Sequence, residues 1–196
     1  MKRFILICLL IFGLSSSVNA ISLIGSGITA GGCNTVINLD SQDTNMDIGS
    51  AASNQWGALV FTPTGADTVK TFYIMLGVNR TDDMVGETVT ASLCTTLDNS
   101  PTETCTNADA TLDATTLTVA PQAVKFNIAA GYVLTDSANG NAVRIYFSKA
   151  DAGDYIEMYY LSTGDGRAKY NDDPATSWTA VDTTATAYFI GKDCVE

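Results

Sequence analysis

Short runs of alternating apolar and polar residues follow one another along the chain after residue 34, and this pattern constrains the fold most. The runs are rich in Thr, Val, Ile, Tyr and Phe, and clusters of Gly, Asn, Asp and Ser separate them, as turns separate strands. They lie at residues 35–39, 56–61, 69–76, 88–94, 115–119, 124–128, 142–148, 155–161 and 185–190. No helix-length 3.6-residue period interrupts them. About nine short strands without helices predict an all-β domain, an antiparallel sandwich or barrel.

The first 20 residues have the order of a secretory signal peptide. Lys2 and Arg3 precede an apolar run at residues 4–14, and small residues precede position 21. The run is shorter than the roughly 20 residues that cross a bilayer, so a membrane anchor is the weaker interpretation. The predicted organisation is a signal peptide at 1–20, an N-terminal segment or first strand at 21–34, and a single β domain at 35–196. We therefore expect a secreted or cell-surface protein with no transmembrane segment after cleavage.

Composition and charge exclude several classes of function. Only 16% of the residues are charged while 46% are hydrophobic, which is the balance of a folding chain rather than a disordered one. Removing Lys2 and Arg3 with the signal peptide changes the formal charge from −11 to −13, so nucleic acid and anionic membranes are poor partners. The sequence contains no His, which excludes Ser-His-Asp and Cys-His catalysis and His-ligated metals.

The cysteines predict two disulfide bonds. Cys8 leaves with the signal peptide, and the remaining Cys33, Cys94, Cys105 and Cys194 form an even set in an exported chain. Spacing favours Cys94 with Cys105, which flank a polar segment, and Cys33 with Cys194 among the three possible connectivities. A lipoprotein modified at Cys33 is the alternative, but it leaves Cys194 unpaired. The absence of a CxxC spacing argues against redox or zinc chemistry.

The segments at 142–148 and 155–161 are predicted to pair as a β-hairpin across the polar connection at 149–154. The pairing places one apolar set on a single face, as a half-buried register requires: Val143, Ile145, Phe147, Ile156, Met158 and Tyr160. The other face then carries a candidate surface set of Arg144, Tyr146, Tyr155, Glu157 and Tyr159. Two interpretations stay open for that set, cross-strand stabilisation and a surface for a ligand or subunit.

Several segments resemble one known family. They are residues 55–62 with the long strand through Leu76, 89–93 with Ser100 and Pro101, 124–128, 132–134, the predicted hairpin, Ser177 with Trp178, and 187–191. Together they resemble the extracellular jelly-roll domains called choice-of-anchor domains, over about residues 54 to 191. The chain departs from the family in its two predicted disulfides and in the sequence Lys192 to Glu196, which carries no sorting segment. The resemblance implies a jelly-roll-like sandwich and a surface location, and it implies no catalytic residues.

Two further sets of residues are candidate sites. The segment 164–178 combines glycines with aromatic and planar polar groups that suit sugar binding: Arg167, Tyr170, Asn171, Asp172, Asp173 and Trp178. Loop aspartates are hard oxygen ligands that could hold calcium, with Asp165, Asp172 and Asp173 as the first candidates. Asp40, Asp43 and Asp47 and the pair Asp151 and Asp154 are the others. Solvated turn acids and a Trp178 buried in the core are the alternative interpretations.

The expected function is therefore binding rather than catalysis. Without His, enzyme chemistry would need paired carboxylates, as in a glycoside-acting enzyme, or a Ser-Lys or Tyr-Arg arrangement. The sequence fixes no second carboxylate near Glu157. We expect an adhesion or carbohydrate-binding module whose partner is a glycan or a protein surface, with calcium as a possible cofactor. The alternative is a self-assembling filament or sheath subunit, because the uncharged segment 21–30 could donate a strand to another copy of the chain.

Overall fold

Fourteen strands and one 3-10 turn form the part of the chain that the computed structural model describes. They are β1 (Thr35–Asn38), β2 (Thr44–Ile48), β3 (Trp56–Phe61), β4 (Thr68–Asn79), β5 (Thr88–Thr95), β6 (Thr104–Asn107), β7 (Leu112–Asp113), the 3-10 turn Ala114–Thr116, β8 (Gln122–Val133), β9 (Asn141–Phe147), β10 (Tyr155–Leu161), β11 (Arg167–Asn171), β12 (Thr179–Asp182), β13 (Thr186–Ala187) and β14 (Phe189–Lys192). The described residues are 33–38, 42–51, 54–61, 68–95, 104–135, 140–149, 151–163, 167–171, 179–182 and 186–196. The predicted signal peptide and the segment 21–32 lie outside them.

The strands form two antiparallel seven-stranded sheets with the order of a jelly roll. Sheet A contains the neighbours β2, β10, β4 and β8, in that order across the sheet. Sheet B contains β3, β9, β5 and β6. From each of these eight strands to the next along the chain, the sheet changes at every step except β5 to β6, which is how two Greek keys build a double-sheet sandwich. The predicted all-β jelly-roll-like sandwich is therefore confirmed, with β1, β13 and β14 extending sheet A and β7, β11 and β12 extending sheet B.

The core lies between the two sheets and is centred on four phenylalanines. Phe72 of β4 stacks on Phe126 of β8 and on Phe189 of β14, with ring centroids 5.4 and 6.1 Å apart. Phe61 of β3 contacts Phe189 from the opposite sheet at 4.4 Å. All four rings are buried, and burial of a side chain of this size stabilises the fold by roughly 1.5–3 kcal/mol.

The predicted hairpin between the segments 142–148 and 155–161 is wrong in its pairing. β9 lies in sheet B between β3 and β5, whereas β10 lies in sheet A between β2 and β4. The two strands face each other across the core instead of sharing a ladder. The inward set was nevertheless assigned correctly, since all six of its members are buried: Val143, Ile145, Phe147, Ile156, Met158 and Tyr160. The segment 149–154 is therefore an arch between the sheets.

The structure also tests the predicted disulfide pairing and the predicted strand at 115–119. Both disulfides have the predicted partners, Cys33 with Cys194 and Cys94 with Cys105, so Cys33 is not free for lipidation.

The predicted strand at 115–119 is wrong. Residues Ala114–Thr116 form a 3-10 turn instead, because the Asp113 carboxylate caps it by accepting hydrogen bonds from the backbone and hydroxyl of Thr115.

Candidate functional site

The candidate surface set separates onto the two outer faces of the sandwich. Arg144 and Tyr146 lie on β9 and face outward from sheet B, while Tyr155, Glu157 and Tyr159 lie on β10 and face outward from sheet A. The wrong hairpin pairing had placed all five on one surface. The structure therefore offers two smaller surfaces in place of one.

On sheet B, Arg144 and Tyr146 pack around Trp56 of the neighbouring strand β3. The Arg144 guanidinium lies 4.6 Å from the centre of the Trp56 ring, and the Tyr146 ring lies 4.4 Å from it at a tilt of 39°. These contacts are the cation–π and aromatic pairs expected to stabilise a sheet face. The mutual packing favours the stabilising interpretation for these two residues.

The sugar-binding segment predicted at 164–178 is described only in part. Arg167, Tyr170 and Asn171 belong to β11, and backbone pairing sets Asn171 opposite Trp56 of β3. The described residues do not include Asp165, Asp172, Asp173 or Trp178, and they do not include the side chains of β11. Sugar binding and calcium binding by this segment stay predictions.

On sheet A, β10 is a central strand and its outward residues lie in three cross-strand rows. Backbone pairing sets Tyr155 opposite Asn79 of β4, Glu157 opposite both Gly77 of β4 and Asp47 of β2, and Tyr159 opposite Asn45 of β2. We call this surface the β10 face. Its members are Asn45, Asp47, Gly77, Asn79, Tyr155, Glu157 and Tyr159.

Hydrogen bonds fix the polar groups of the β10 face. The Tyr159 hydroxyl donates to Oε2 of Glu157 at 2.7 Å, and Nδ2 of Asn79 donates to the Tyr155 hydroxyl at 2.9 Å. Nδ2 of Asn45 donates to Oδ1 of Asp47 at 2.8 Å. Side chains held in this way lose little further freedom when a ligand binds, so the surface is preorganised.

Gly77 makes room for this arrangement. A Cβ atom at position 77 would lie 2.9 Å from the Tyr159 ring and 3.3 Å from Oε2 of Glu157. The Tyr159 ring and the Glu157 carboxylate can therefore approach the backbone of β4 closely only because position 77 carries no side chain. Gly77 therefore lies directly beneath the Tyr159 ring and the Glu157 carboxylate of the β10 face.

The β10 face is acidic. Burial and the neighbouring Glu157 carboxylate raise the pKa of Asp47, and burial with the hydrogen bond to Glu157 raises the pKa of Tyr159 to about 12. Burial and then the charges of Asp47 and Glu157 also raise the pKa of Tyr155. No Lys or Arg among the described residues contributes to the pKa shifts of Asp47, Tyr155 and Tyr159. Like charges on directly opposite strand positions destabilise a sheet, so stability alone does not explain Asp47 opposite Glu157.

Asp47→Asn is therefore expected to stabilise the fold. A carboxyl whose folded pKa is raised lowers stability once the pH passes its unfolded value, so the variant should gain about 1–3 °C in Tm at pH 7. The gain should vanish below about pH 4, where the wild-type carboxyl is protonated. Thermal unfolding monitored by circular dichroism measures both effects.

Asp43→Asn is the matched control for that variant. The Asp43 carboxylate accepts hydrogen bonds from the hydroxyl and backbone N–H of Ser162, which lower its pKa. Its replacement should lower Tm at pH 7, the opposite sign. If the two variants shift Tm in the same direction, the like-charge interpretation of Asp47 is incorrect.

The other calcium candidates have different roles where the structure describes them. The Asp154 carboxylate pairs with Lys149, and Asp151 accepts a hydrogen bond from the backbone of Gly153 within its own turn. Asp40 lies outside the described residues. Among those described, one trio of potential metal ligands converges, Cys33 with Asp193 and Cys194, and a disulfide already joins its two sulfur atoms.

Sequence reasoning missed four members of the β10 face as a site: Asn45, Asp47 as a partner of Glu157, Gly77 and Asn79. The missing element was β2, whose sequence TNMDI alternates polar and apolar residues and carries the needed signal. Met46 and Ile48 are buried, and Asn45 and Asp47 lie on the outward side. Recognising this five-residue strand would have placed a second carboxylate beside Glu157.

Comparisons of the chain with protein-family models, with curated proteins and with solved structures found no match. Within the described residues, no helix is both long and apolar enough to cross a membrane. Any assignment of function therefore depends on the geometry and chemistry of the chain itself.

Proposed function

We propose that the chain is an extracellular binding module that recognises a neutral saccharide through the β10 face. The observation that carries this proposal is the outward, half-buried row Tyr155, Glu157 and Tyr159 on a central strand, with Asp47 and two asparagines on the strands beside it. Tyrosine rings offer flat apolar surfaces to the C–H faces of a sugar ring. Ionised carboxylates only accept hydrogen bonds, and sugar hydroxyls are abundant donors.

The electrostatics of the face narrow the ligand class. The neighbouring carboxylates of Asp47 and Glu157 repel anionic groups, and the chain as a whole carries a formal charge of −11. A neutral saccharide avoids this repulsion and still satisfies the fixed acceptors of Asp47 and Glu157. The amides of Asn45 and Asn79 add donors and acceptors at the two ends.

An extracellular location is part of the proposal. The signal-peptide pattern at 1–20 and two disulfides suit an oxidising compartment. The resemblance to choice-of-anchor domains supports a surface location in the same way. Together these features favour an adhesive or carbohydrate-binding role outside the cell.

Binding of the mature chain to a panel of neutral oligosaccharides tests the proposal. Tyr155→Ala and Tyr159→Ala should each weaken binding roughly 10-fold or more by isothermal titration calorimetry, the effect of removing a central aromatic contact. Tyr146→Ala on sheet B is the matched control and should leave affinity unchanged. Failure of every neutral saccharide to bind, or equal losses in all three variants, would refute the β10 face as the site.

Glycoside hydrolysis is the second candidate, because Asp47 and Glu157 are paired carboxylates on adjacent strands. We rank it below binding because an open sheet face does not exclude water from a reacting bond. The same saccharides incubated with the chain should release no new reducing ends. Release that disappears in Glu157→Gln would reverse the ranking.

A further inference from the structure

A second polar centre lies on the outer face of sheet A, where β8, β4 and β14 are neighbours. Three side chains, one from each strand, converge on Glu196. The Tyr73 hydroxyl donates to Oε2 of Glu196 at 2.6 Å, and the Lys192 ammonium pairs with Oε1. The Lys125 ammonium donates to the main-chain oxygen of the same residue. We call Tyr73, Lys125 and Lys192 the carboxylate seat.

The seat is matched to a carboxylate in charge and geometry. Lys192 also lies 5.5 Å from the centre of the Tyr73 ring, so the ammonium and the ring hold each other in place. Hydrogen bonds from Lys192 and then Tyr73 lower the pKa of Glu196. Two ammonium groups and a hydroxyl are an unusual concentration of donors in a chain with only 10 Lys and Arg among 196 residues.

An open cleft of about 210 Å³ adjoins the seat. Its lining mixes apolar and polar groups and includes Asp109, Leu112, Lys125, Phe126, Asn127 and Val195. Lys125 belongs to both the cleft and the seat, and Val195 is the chain neighbour of Glu196. The volume lies below the roughly 300–1,000 Å³ of pockets for drug-sized ligands, so the cleft suits one small unit such as a single sugar ring.

We propose that this region is a second binding site, specific for a uronic-acid residue of a saccharide, and that Glu196 occupies its carboxylate seat when no ligand is present. The sugar ring would enter the cleft beside Lys125, and its carboxylate would replace that of Glu196 on Tyr73 and Lys192. Displacement is feasible because the Glu196 side chain is 35% exposed and surface ion pairs contribute little stability. The site is separate from the β10 face and does not depend on it.

Glu196→Gln tests this proposal with digalacturonate as the probe and galactobiose as its neutral counterpart. Removing the competing charge should tighten digalacturonate binding by about 10-fold in calorimetry, because an intramolecular competitor lowers apparent affinity. Galactobiose binding should not change between the variant and the wild-type chain. Digalacturonate binding that is absent, or no tighter in Glu196→Gln than in the wild-type chain, would overturn the proposal.

Variants of the seat provide the second arm of the experiment. In the Glu196→Gln background, Lys125→Met with Lys192→Met should abolish digalacturonate binding, and Tyr73→Phe should weaken it several-fold by removing one hydrogen bond. Thermal unfolding establishes that each variant is folded before its binding is measured. Undiminished binding by a folded double variant would show that the carboxylate is held elsewhere. Loss of neutral-saccharide binding in Tyr155→Ala, by contrast, bears only on the β10 face.

Discussion

Replacing Cys33 and Cys194 together by serine is expected to lower the free energy of unfolding by about 5 kcal/mol. The bond joins residues 161 positions apart, so its loss frees almost the whole domain in the unfolded state. In the chain-entropy model the cost grows with the logarithm of the closed loop. A loss of this size is comparable to the whole stability of a weakly stable domain and corresponds to a fall in Tm of roughly 10–20 °C.

The Cys94–Cys105 bond provides the matched control. Its cysteines are 11 positions apart and directly opposite each other on β5 and β6, so the same model gives only about 3 kcal/mol for its removal. Denaturant titration of the two double variants and the wild-type chain measures both losses. A larger loss for the short loop would show that local packing, and not chain entropy, sets the contribution of each bond.

The disulfides and the inward faces of the strands could be predicted because both depend on local features of the sequence. Parity of the cysteines fixed the number of bonds, and the alternation of apolar residues fixed which side of each strand is buried. Ile145 and Met158 illustrate this, since both are buried as the alternation required. Neither inference needed to know which strand lies beside which.

The pairing of β9 and β10 could not be predicted from the same features. Alternation places Val143 and Met158 in the core equally well when their strands share a ladder and when they face each other from opposite sheets. The choice was made by contacts distant in sequence, namely β3 and β5 beside β9, and β2 and β4 beside β10. A polar connection of six residues is compatible with a hairpin and with an arch.

In the candidate sites, too, residues of one strand could be predicted together, whereas contacts between different strands could not. Tyr155, Glu157 and Tyr159 share a surface because they are alternate residues of one strand, and the sequence predicted that. Their partner Asp47 lies 110 positions away, and only the pairing of β2 with β10 sets it opposite Glu157. The carboxylate seat is built from three strands and was missed entirely, because no local pattern connects Tyr73, Lys125 and Lys192.

The arch itself is fixed by Asp154, and Asp154→Asn is expected to destabilise the fold strongly. The Asp154 side chain is only 2% exposed. Its carboxylate lies 2.9 Å from the Lys149 ammonium and accepts hydrogen bonds from the backbone N–H groups of Thr81 and Asp82. Lys149 also pairs with Asp82 at 2.7 Å, so the arch is tied to the β4–β5 connection. Breaking a buried pair by removing one charge should lower Tm by roughly 10 °C at pH 7.

Asp151→Asn is the control, because Asp151 belongs to the same arch but is exposed, and its carboxylate accepts a hydrogen bond from the backbone N–H of the nearby Gly153. The Asp151→Asn variant should change Tm little. A small effect of Asp154→Asn, equal to that of Asp151→Asn, would mean that the strands position the arch without the ion pair.

The pH dependence separates the charge of Asp154 from its packing. The Lys149 ammonium and the Thr81 backbone hold the pKa of Asp154 far below its ordinary value, and Asp82 with Asp154 raises the pKa of Lys149. A lowered acid pKa stabilises the fold above the unfolded value of about 4, and the contribution is lost as the pH falls from there. A raised Lys pKa stabilises the fold below the unfolded value of about 10.4, and that contribution is lost at higher pH.

The difference in Tm between the wild-type chain and Asp154→Asn should therefore be largest between about pH 5 and 9 and shrink on either side. A difference that stays constant from pH 3 to pH 7 would assign the effect to packing of the side chain and not to its charge.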